Sequence, residues 1–133
     1  MTFSLKFLSF KDASDESNDI LNEIECFSTL SHPNIVQYYG CGRDVNQIAI
    51  FMEYLPGGSM AQYVKQSGGF LEEPEVQRFA VQILSGLDYL HQQSLVHRDI
   101  KGSNLLLDQD RRLYSEINGF VQVYVLRPGG GLG

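Results

Sequence analysis

The chain has 133 residues, 43% hydrophobic and 20% charged, which is typical of one soluble globular domain or of part of a larger one. Its formal net charge of −6 argues against a nucleic-acid-binding surface and provides no polybasic face for an anionic membrane. Two cysteines are too few for a disulfide framework, no apolar run could span a bilayer, and the first residues lack the features of a signal peptide. We therefore expect a cytoplasmic protein that binds neither nucleic acid nor membrane.

The first part of the chain predicts a helix followed by two strands. Residues 14–30 place apolar side chains at helical spacing after serines that can cap a helix, and Pro33 ends the pattern. Residues 35–41 are rich in β-branched and aromatic side chains. Residues 48–54 form a nearly continuous apolar run, typical of a strand buried on both faces. These segments predict an antiparallel hairpin that packs against the helix.

The middle of the chain predicts two helices. Residues 56–59, PGGS, have the composition of a hinge or linker, and a short helix is expected from Ser59 until Gly68 and Gly69. A longer amphipathic helix is expected over residues 73–92, with Pro74 acceptable in its first turn. Its apolar stripe consists of Val76, Phe79, Ala80, Ile83, Leu84, Leu87 and Leu90.

A cluster of polar side chains follows this helix, between short strands expected at residues 95–96 and 105–107. Within it, the carboxylate of Asp99 can orient an attacking hydroxyl or accept its proton. The ammonium of Lys101 can neutralise charge on a moving phosphoryl group, and the amide oxygen of Asn104 is a ligand suited to Mg²⁺. Phosphoryl transfer needs little beyond positioning and charge neutralisation, so the cluster indicates that reaction.

Three segments carry a resemblance to a known family. "HRDIKGSN" resembles the catalytic loop of eukaryotic serine/threonine protein kinases, and with "HPNIVQYYG" and "IFMEYLPGGS" it is similar to mitogen-activated protein kinase kinase kinases of the STE type. The resemblance implies an α+β fold, with a partial kinase domain over residues 1–108. That domain would comprise a partial N-lobe at 1–55 and the start of a C-lobe at 56–108, followed by a diverged, poorly ordered tail at 109–133.

The resemblance also implies roles for five residues of the loop. Asp99 resembles the catalytic base, Lys101 the phosphate-facing lysine and Asn104 a magnesium ligand. His97 resembles a structural residue of a hydrophobic spine. Arg98 resembles the arginine that binds a phosphorylated activation loop, which is a regulatory role.

Two further residues match positions that contact the nucleotide phosphates. Lys6 occupies the place of the nucleotide-pairing lysine, and Glu23 that of the helix glutamate which pairs with it. Each has an ordinary alternative, because Lys6 could be a solvated lysine and Glu23 an exposed helical acid.

Four residues match the adenine site of the family. Met52 falls at the gatekeeper position, and Glu53 and Leu55 fall where backbone groups bond the adenine ring. Leu106 resembles the floor of the adenine pocket, although a plain core position would give it the same burial.

The resemblance fails at three points. No Gly-rich phosphate loop is found, and no activation segment or later helices can be recognised. Ile117, Asn118 and Gly119 occupy the Asp-Phe-Gly positions when counted without a gap, and with a one-residue shift Asn118 replaces the aspartate. In either case Glu116, just before them, is the nearest carboxylate. A strand is expected within residues 111–126, and the end of the chain, RPGGGLG, should be disordered.

We therefore expect a truncated protein serine/threonine kinase that uses ATP and Mg²⁺, acts on a downstream kinase, and is inactive by itself. The alternative is a non-catalytic kinase-like binding module. A small-molecule phosphotransferase is disfavoured by the Arg98 and Lys101 pattern. The stripe of the helix at 73–92 should be partly uncovered, so the chain should be marginally stable or dependent on a partner.

Overall fold

The computed structural model describes residues 2–9, 28–43, 47–97, 100–116 and 124–125. The chain divides into two compact units, of which we call the first the strand unit and the second the helical unit. The strand unit consists of Met1–Ser31 and Val36–Tyr54, and the helical unit of His32–Ile35 and Leu55–Gly133. Among the residues that the structure describes, antiparallel strands and two helices make the fold α+β, as predicted.

The strand unit contains a three-stranded antiparallel sheet. Its strands are β1 (Phe3–Ser9), β2 (Tyr38–Arg43) and β3 (Gln47–Glu53), in the order β1-β3-β2. The predicted hairpin is confirmed as the β2–β3 pair. Its first strand begins later than predicted, because Ile35 belongs to the helical unit and forms a parallel bridge with Ser115 there.

The prediction that β3 is buried on both faces is wrong. Ile48, Ile50 and Met52 are buried, whereas Phe51 between them is exposed. An alternating strand places successive side chains on opposite faces, so one face of this sheet is covered and the other is open. The helix predicted at residues 14–30, against which we expected the hairpin to pack, lies almost entirely outside the described residues.

The short helix α1 (Met60–Gln66) of the helical unit has the predicted start and end. The Ser59 side chain accepts the backbone N–H of Gln62, and the Gln62 side chain accepts that of Ser59, forming a capping box. The helix ends before Gly68 and Gly69, whose φ angles of 91° and 96° lie in the left-handed region that glycine adopts without strain.

The PGGS segment is not the loose linker that its composition suggested. The N–H of Gly57 donates to the carbonyl of Leu107 at 2.8 Å, and the N–H of Leu107 donates to that of Gly58 at 2.9 Å. A Cβ on Gly57 would come within 2.6 Å of the same Leu107 carbonyl oxygen. Glycine is required here because the two backbones lie in direct contact.

The long helix α2 (Glu73–Gln92) has the predicted bounds. Only part of its apolar stripe is covered: Phe79 and Leu90 are buried, but Val76 is 49% and Leu84 64% exposed. The covered side belongs to the main core of the helical unit. That core consists of Met60, Phe79, Leu105, Leu107 and Leu113.

Short strands complete the helical unit. Strand β4 (Leu95–Val96) pairs with β7 (Tyr124–Val125), and β5 (Leu105–Leu107) pairs with β6 (Leu113–Ser115), both antiparallel. These pairs confirm the strands predicted on either side of the polar cluster and the further strand predicted within residues 111–126.

The tail that we expected to be poorly ordered from residue 109 contains part of the core. Leu113 and Ser115 are fully buried in β6. The composition of residues 109–116 did not indicate this, because the polar run that contains Asp110, Arg111 and Arg112 precedes the short strand and conceals it. Residues 127–133 lie outside the described part of the chain.

Candidate active site

The β5–β6 hairpin positions the last residue of the predicted catalytic loop. Leu105 pairs with Ser115 and Leu106 with Tyr114, so the strands have no register shift. Leu105 and Ser115 are buried on the core side, whereas Leu106 and Tyr114 on the other side are half-buried. Leu106, predicted as the floor of an adenine pocket, therefore faces away from the core of its own unit.

Asn104 continues this pairing by one residue. It is the last residue of a 3₁₀ turn, Gly102–Asn104, and is 2% exposed. Its N–H donates to the carbonyl of Lys101, and its carbonyl accepts the N–H of Glu116, each at 2.9 Å. The backbone of Asn104 is thus bonded on both sides, which fixes the point from which its amide side chain extends.

His97 is also attached to this hairpin. It is fully buried, and its Nε2 lies 2.8 Å from the carbonyl oxygen of Glu116. A carbonyl only accepts, so Nε2 carries the proton and donates. This contact is compatible with the structural role predicted for His97. His97 and Asn104 together bind the carbonyl and the N–H of Glu116.

The remaining loop residues are placed in part. Lys101 is exposed and directly precedes the 3₁₀ turn. Gly102 lies against α1, where an added Cβ would be 3.2 Å from the Cβ of Ala61. Arg98 and Asp99 lie outside the described residues, so the convergence of Asp99 with Lys101 and Asn104 stays a prediction.

Lys6, predicted to contact nucleotide phosphates, and Met52, the predicted gatekeeper, lie on one face of the sheet in the strand unit. Lys6 pairs with Ile50, and Ser4 pairs with Met52. Alternation along the strands puts Lys6 and Met52 on the face that carries the buried Ile50. Lys6 is half-buried there rather than fully solvated, and Glu23, its expected partner, lies outside the described residues.

The end of β3 is fixed to the segment before β2. The N–H of Glu53 donates to the carbonyl of Gln37 at 2.8 Å, and the Glu53 carboxylate accepts the N–H of Gln37 at 3.2 Å. The Glu53 side chain therefore has a structural contact that the sequence did not indicate. Leu55, two residues later, is half-buried and belongs to the helical unit.

The donors near the hairpin have the chemistry that Mg²⁺ prefers. The amide oxygen of Asn104 and the carboxylate of Glu116 are both hard oxygen ligands. Within the described ranges, no group of three or more His, Cys, Asp or Glu side chains is arranged to hold a metal ion. Mg²⁺ is commonly bound by one or two carboxylates together with the phosphates of a substrate.

Two residues have structural roles that the sequence did not indicate. Asn34 was interpreted only as part of a helix stop, yet its side chain donates to the carbonyl of Leu113 at 2.9 Å, and its own carbonyl accepts the N–H of Ser115 at 2.8 Å. Glu116 was noted only as the nearest carboxylate. Both roles depend on contacts between residues far apart in the chain, which no local pattern reveals.

Comparisons with known proteins identify the family of the chain. The family model described as protein kinase domain matches residues 1–119. A mitogen-activated protein kinase kinase kinase of Pyricularia oryzae is 54% identical over 86 residues, which are 65% of this chain and 9% of that protein. Mitogen-activated protein kinase kinase kinase 3 of Arabidopsis thaliana is 45% identical over 105 residues, 78% of this chain and 17% of the relative.

A mouse relative of the same name, from Mus musculus, is 43% identical over 109 residues, 77% of this chain and 17% of that protein. The chain spans less than a fifth of the length of these curated relatives. No helix among the described residues has the length and apolar character to cross a membrane. Because the family model covers residues 1–119, the chain belongs to the protein kinase domain family, and it resembles the mitogen-activated protein kinase kinase kinases within it.

Proposed function

We propose that the chain is the nucleotide-binding and catalytic-loop segment of a serine/threonine protein kinase, which transfers the γ-phosphoryl group of ATP to a protein hydroxyl. The observation that carries this proposal is the position of Asn104. It is buried at the end of a 3₁₀ turn that starts directly after Lys101, on a hairpin whose open side carries Leu106. An isolated His-Arg-Asp triplet in a solvated turn would not have such a rigid support.

Each loop residue has one task in this reaction. Asp99 orients the attacking hydroxyl and accepts its proton. Lys101 neutralises charge on the phosphoryl group as it moves. Asn104 holds Mg²⁺ through its amide oxygen, and the bound ion supplies charge neutralisation at the phosphates.

The remaining predicted residues bind the nucleotide. Lys6 pairs with phosphate oxygens, a proposal supported by its half-buried position on the face that carries Met52. Backbone groups of Glu53 and Leu55 bond the adenine ring. The N–H of Glu53 is already donated to Gln37 within the strand unit, so we assign the adenine contact to the Glu53 carbonyl.

We further propose the lobes and partners that follow from the family. Residues 1–55 belong to an N-lobe and 56–108 to the start of a C-lobe. The substrate is a downstream kinase of a signalling cascade, which is supported by the names of the relatives. The protein works in the cytoplasm, with no nucleic-acid or membrane partner, and the exposed side of α2 makes it dependent on a covering partner.

A non-catalytic binding module is the second candidate. Ile117, Asn118 and Gly119 offer no carboxylate where the family has aspartate. For this reason, we expect slow transfer or none from these 133 residues alone. Retention of Asp99, Lys101 and Asn104 together favours the catalytic candidate.

Nucleotide binding with and without Mg²⁺ separates the two candidates. The kinase proposal predicts that a fluorescent ATP analogue binds the 133-residue chain and that Mg²⁺ strengthens this binding. The same chain is then incubated with ATP, Mg²⁺ and a generic protein substrate, with Asp99→Asn as the blank. Binding that is independent of Mg²⁺, with no phosphate transfer above the blank, would support the module and contradict the kinase.

A further inference from the structure

We infer that Glu116 supplies the carboxylate ligand for Mg²⁺ beside Asn104, in a chain whose residues 117–119 provide none. This inference rests on the proposed function, because it concerns the metal that accompanies the nucleotide. Three observations carry it: the register of the β5–β6 hairpin, the two contacts that hold the backbone of Glu116, and the half-buried state of its side chain.

The backbones of Glu116 and Asn104 lie opposite each other, directly beyond the end of the β5–β6 hairpin. Directly opposed residues of an antiparallel pair project to one side, with their Cβ atoms about 4.5–5.5 Å apart. Leu106 pairs with Tyr114, and the bond from the N–H of Glu116 to the carbonyl of Asn104 adds the next pair on that side. The carboxylate and the amide therefore start from neighbouring backbone positions.

The far end of the hairpin confirms which residues share this face. The N–H of Asp108 donates to the carbonyl of Arg112 at 3.0 Å, and the hydroxyl of Tyr114 donates to the Asp108 carboxylate at 3.0 Å. Asp108 and Tyr114 thus lie on one side. Counting by two along each strand brings the same side to Leu106, and the bond from the N–H of Glu116 to the carbonyl of Asn104 lies one residue pair beyond it.

The backbone of Glu116 is held firmly enough to position a metal ligand. Its N–H donates to Asn104 at 2.9 Å, and its carbonyl accepts from the buried His97 at 2.8 Å. A ligand whose backbone is fixed loses less conformational freedom when it binds a metal ion. The side chain itself is only half-buried, so it can reach a bound ion.

The chemistry of this donor pair suits Mg²⁺ in particular. This ion is usually bound through one or two carboxylates together with substrate phosphates and water. One carboxylate from Glu116 and one amide oxygen from Asn104, with the phosphates of ATP, make such a set.

The test measures metal binding rather than activity. Mn²⁺ serves as a spectroscopic substitute for Mg²⁺, and its bound fraction is measured by electron paramagnetic resonance in the presence of a non-hydrolysable ATP analogue. We expect Glu116→Gln to raise the dissociation constant for Mn²⁺ about tenfold or more, since even the loss of a group that only orients a metal ligand typically costs about 10–100-fold in affinity. The neutral amide keeps the shape of the side chain and leaves the backbone contacts intact.

Two further variants make the result specific. Asp110→Asn removes the same charge from the exposed turn between β5 and β6 and should leave Mn²⁺ binding unchanged. Ile117→Asp, added to Glu116→Gln, restores a carboxylate at the next residue and should recover part of the affinity. Circular dichroism of each variant confirms that the fold is kept.

The outcomes separate this inference from the proposed function. If the unsubstituted chain binds Mn²⁺ with the analogue and Glu116→Gln binds it equally well, the role of Glu116 is overturned and the kinase proposal stands. An equal weakening by Asp110→Asn and Glu116→Gln would show a general charge effect and would also overturn it. If the unsubstituted chain binds no analogue at any Mn²⁺ concentration, the proposed function itself is wrong.

Discussion

The side-chain oxygen of Gln82, on the long helix α2, accepts the backbone N–H of Leu113 on strand β6 at 2.7 Å. The same oxygen lies 3.4 Å from the side-chain amide of Asn34, which in turn donates to the carbonyl of Leu113. Helix, strand and the segment before β2 are thereby joined through one polar group at the border of the core. This junction supports the hairpin on which Asn104 lies.

Replacing Gln82 should destabilise the helical unit. In Gln82→Ala, the N–H of the fully buried Leu113 loses its acceptor, which costs about 1–3 kcal/mol for a buried group. The free energy of unfolding is measured by urea denaturation. Gln77→Ala, which removes only an exposed contact within the same helix, is the control and should change that free energy little. Equal effects of the two substitutions would contradict the proposed junction.

Gly86→Ala should also destabilise the chain, although alanine is the better helix former. An added Cβ would lie 3.0 Å from the carbonyl oxygen of Asn34 and 3.0 Å from Cδ1 of Ile35. We expect a net loss of about 1 kcal/mol or more, since overpacking typically costs more than the ~1 kcal/mol gained in helix propensity. Val81→Ala, at an exposed position of α2, is the control. A more stable Gly86→Ala chain would show that the contact can relax.

The stability of the chain should fall in mild acid because of His32. This side chain stacks on Tyr89, and its Nδ1 accepts the N–H of Asn34 at 3.0 Å. Burial lowers the pKa of His32 from its ordinary 6.5, and the nearby Asp88 carboxylate opposes that shift only in part. The unfolded chain therefore takes up a proton at a higher pH than the folded chain does.

This difference in proton uptake makes the free energy of unfolding decrease as the pH falls. The contribution of His32 to stability is complete above about pH 6.5 and decreases as the pH falls toward the lower pKa of the folded state. His32→Asn keeps an acceptor for the N–H of Asn34 but cannot titrate. The unfolding free energy of this variant should therefore depend less on pH between about 7.5 and 5 than that of the original chain. Denaturation curves recorded at several pH values measure this dependence. An identical pH dependence in both chains would assign the effect to other groups.

The capping box at the start of α1 gives a fourth prediction. Ser59→Ala removes the acceptor for the N–H of Gln62 and should cost about 1 kcal/mol of unfolding free energy. Ser59→Asp keeps an acceptor at the same place and should restore most of the loss. The comparison is made by thermal denaturation of the three chains. If the alanine variant is as stable as the original, the cap does not limit the stability of the helical unit.

Much of the helical unit could be predicted from local patterns. The bounds of α2 follow from its 3.6-residue periodicity and from Pro74 in its first turn, and the start of α1 follows from Ser59. Such signals are contained within a few consecutive residues. They need no knowledge of what the segment packs against, which explains why these predictions are confirmed.

The failures concern features that depend on distant residues. An apolar run such as residues 48–54 is compatible with one covered face or with two, and only the neighbouring strands decide. Ile35 looked like part of a strand, but its partner is Ser115, eighty residues away in sequence. The positions of Lys101 and Asn104 were predictable as a motif, whereas the attachment of Glu116 to Asn104 and His97 was not.

The proposed kinase function requires that Asp99, Lys101 and Asn104 converge on one metal–nucleotide site. Paramagnetic broadening of backbone amide signals by Mn²⁺ and ATP, recorded by nuclear magnetic resonance on the 133-residue chain, tests it most directly. We expect the amide signals of all three residues to broaden strongly, while those of Gln66 and Gln77 on the helices stay sharp. Sharp signals from Asp99, Lys101 and Asn104 at saturating Mn²⁺ and ATP would contradict it.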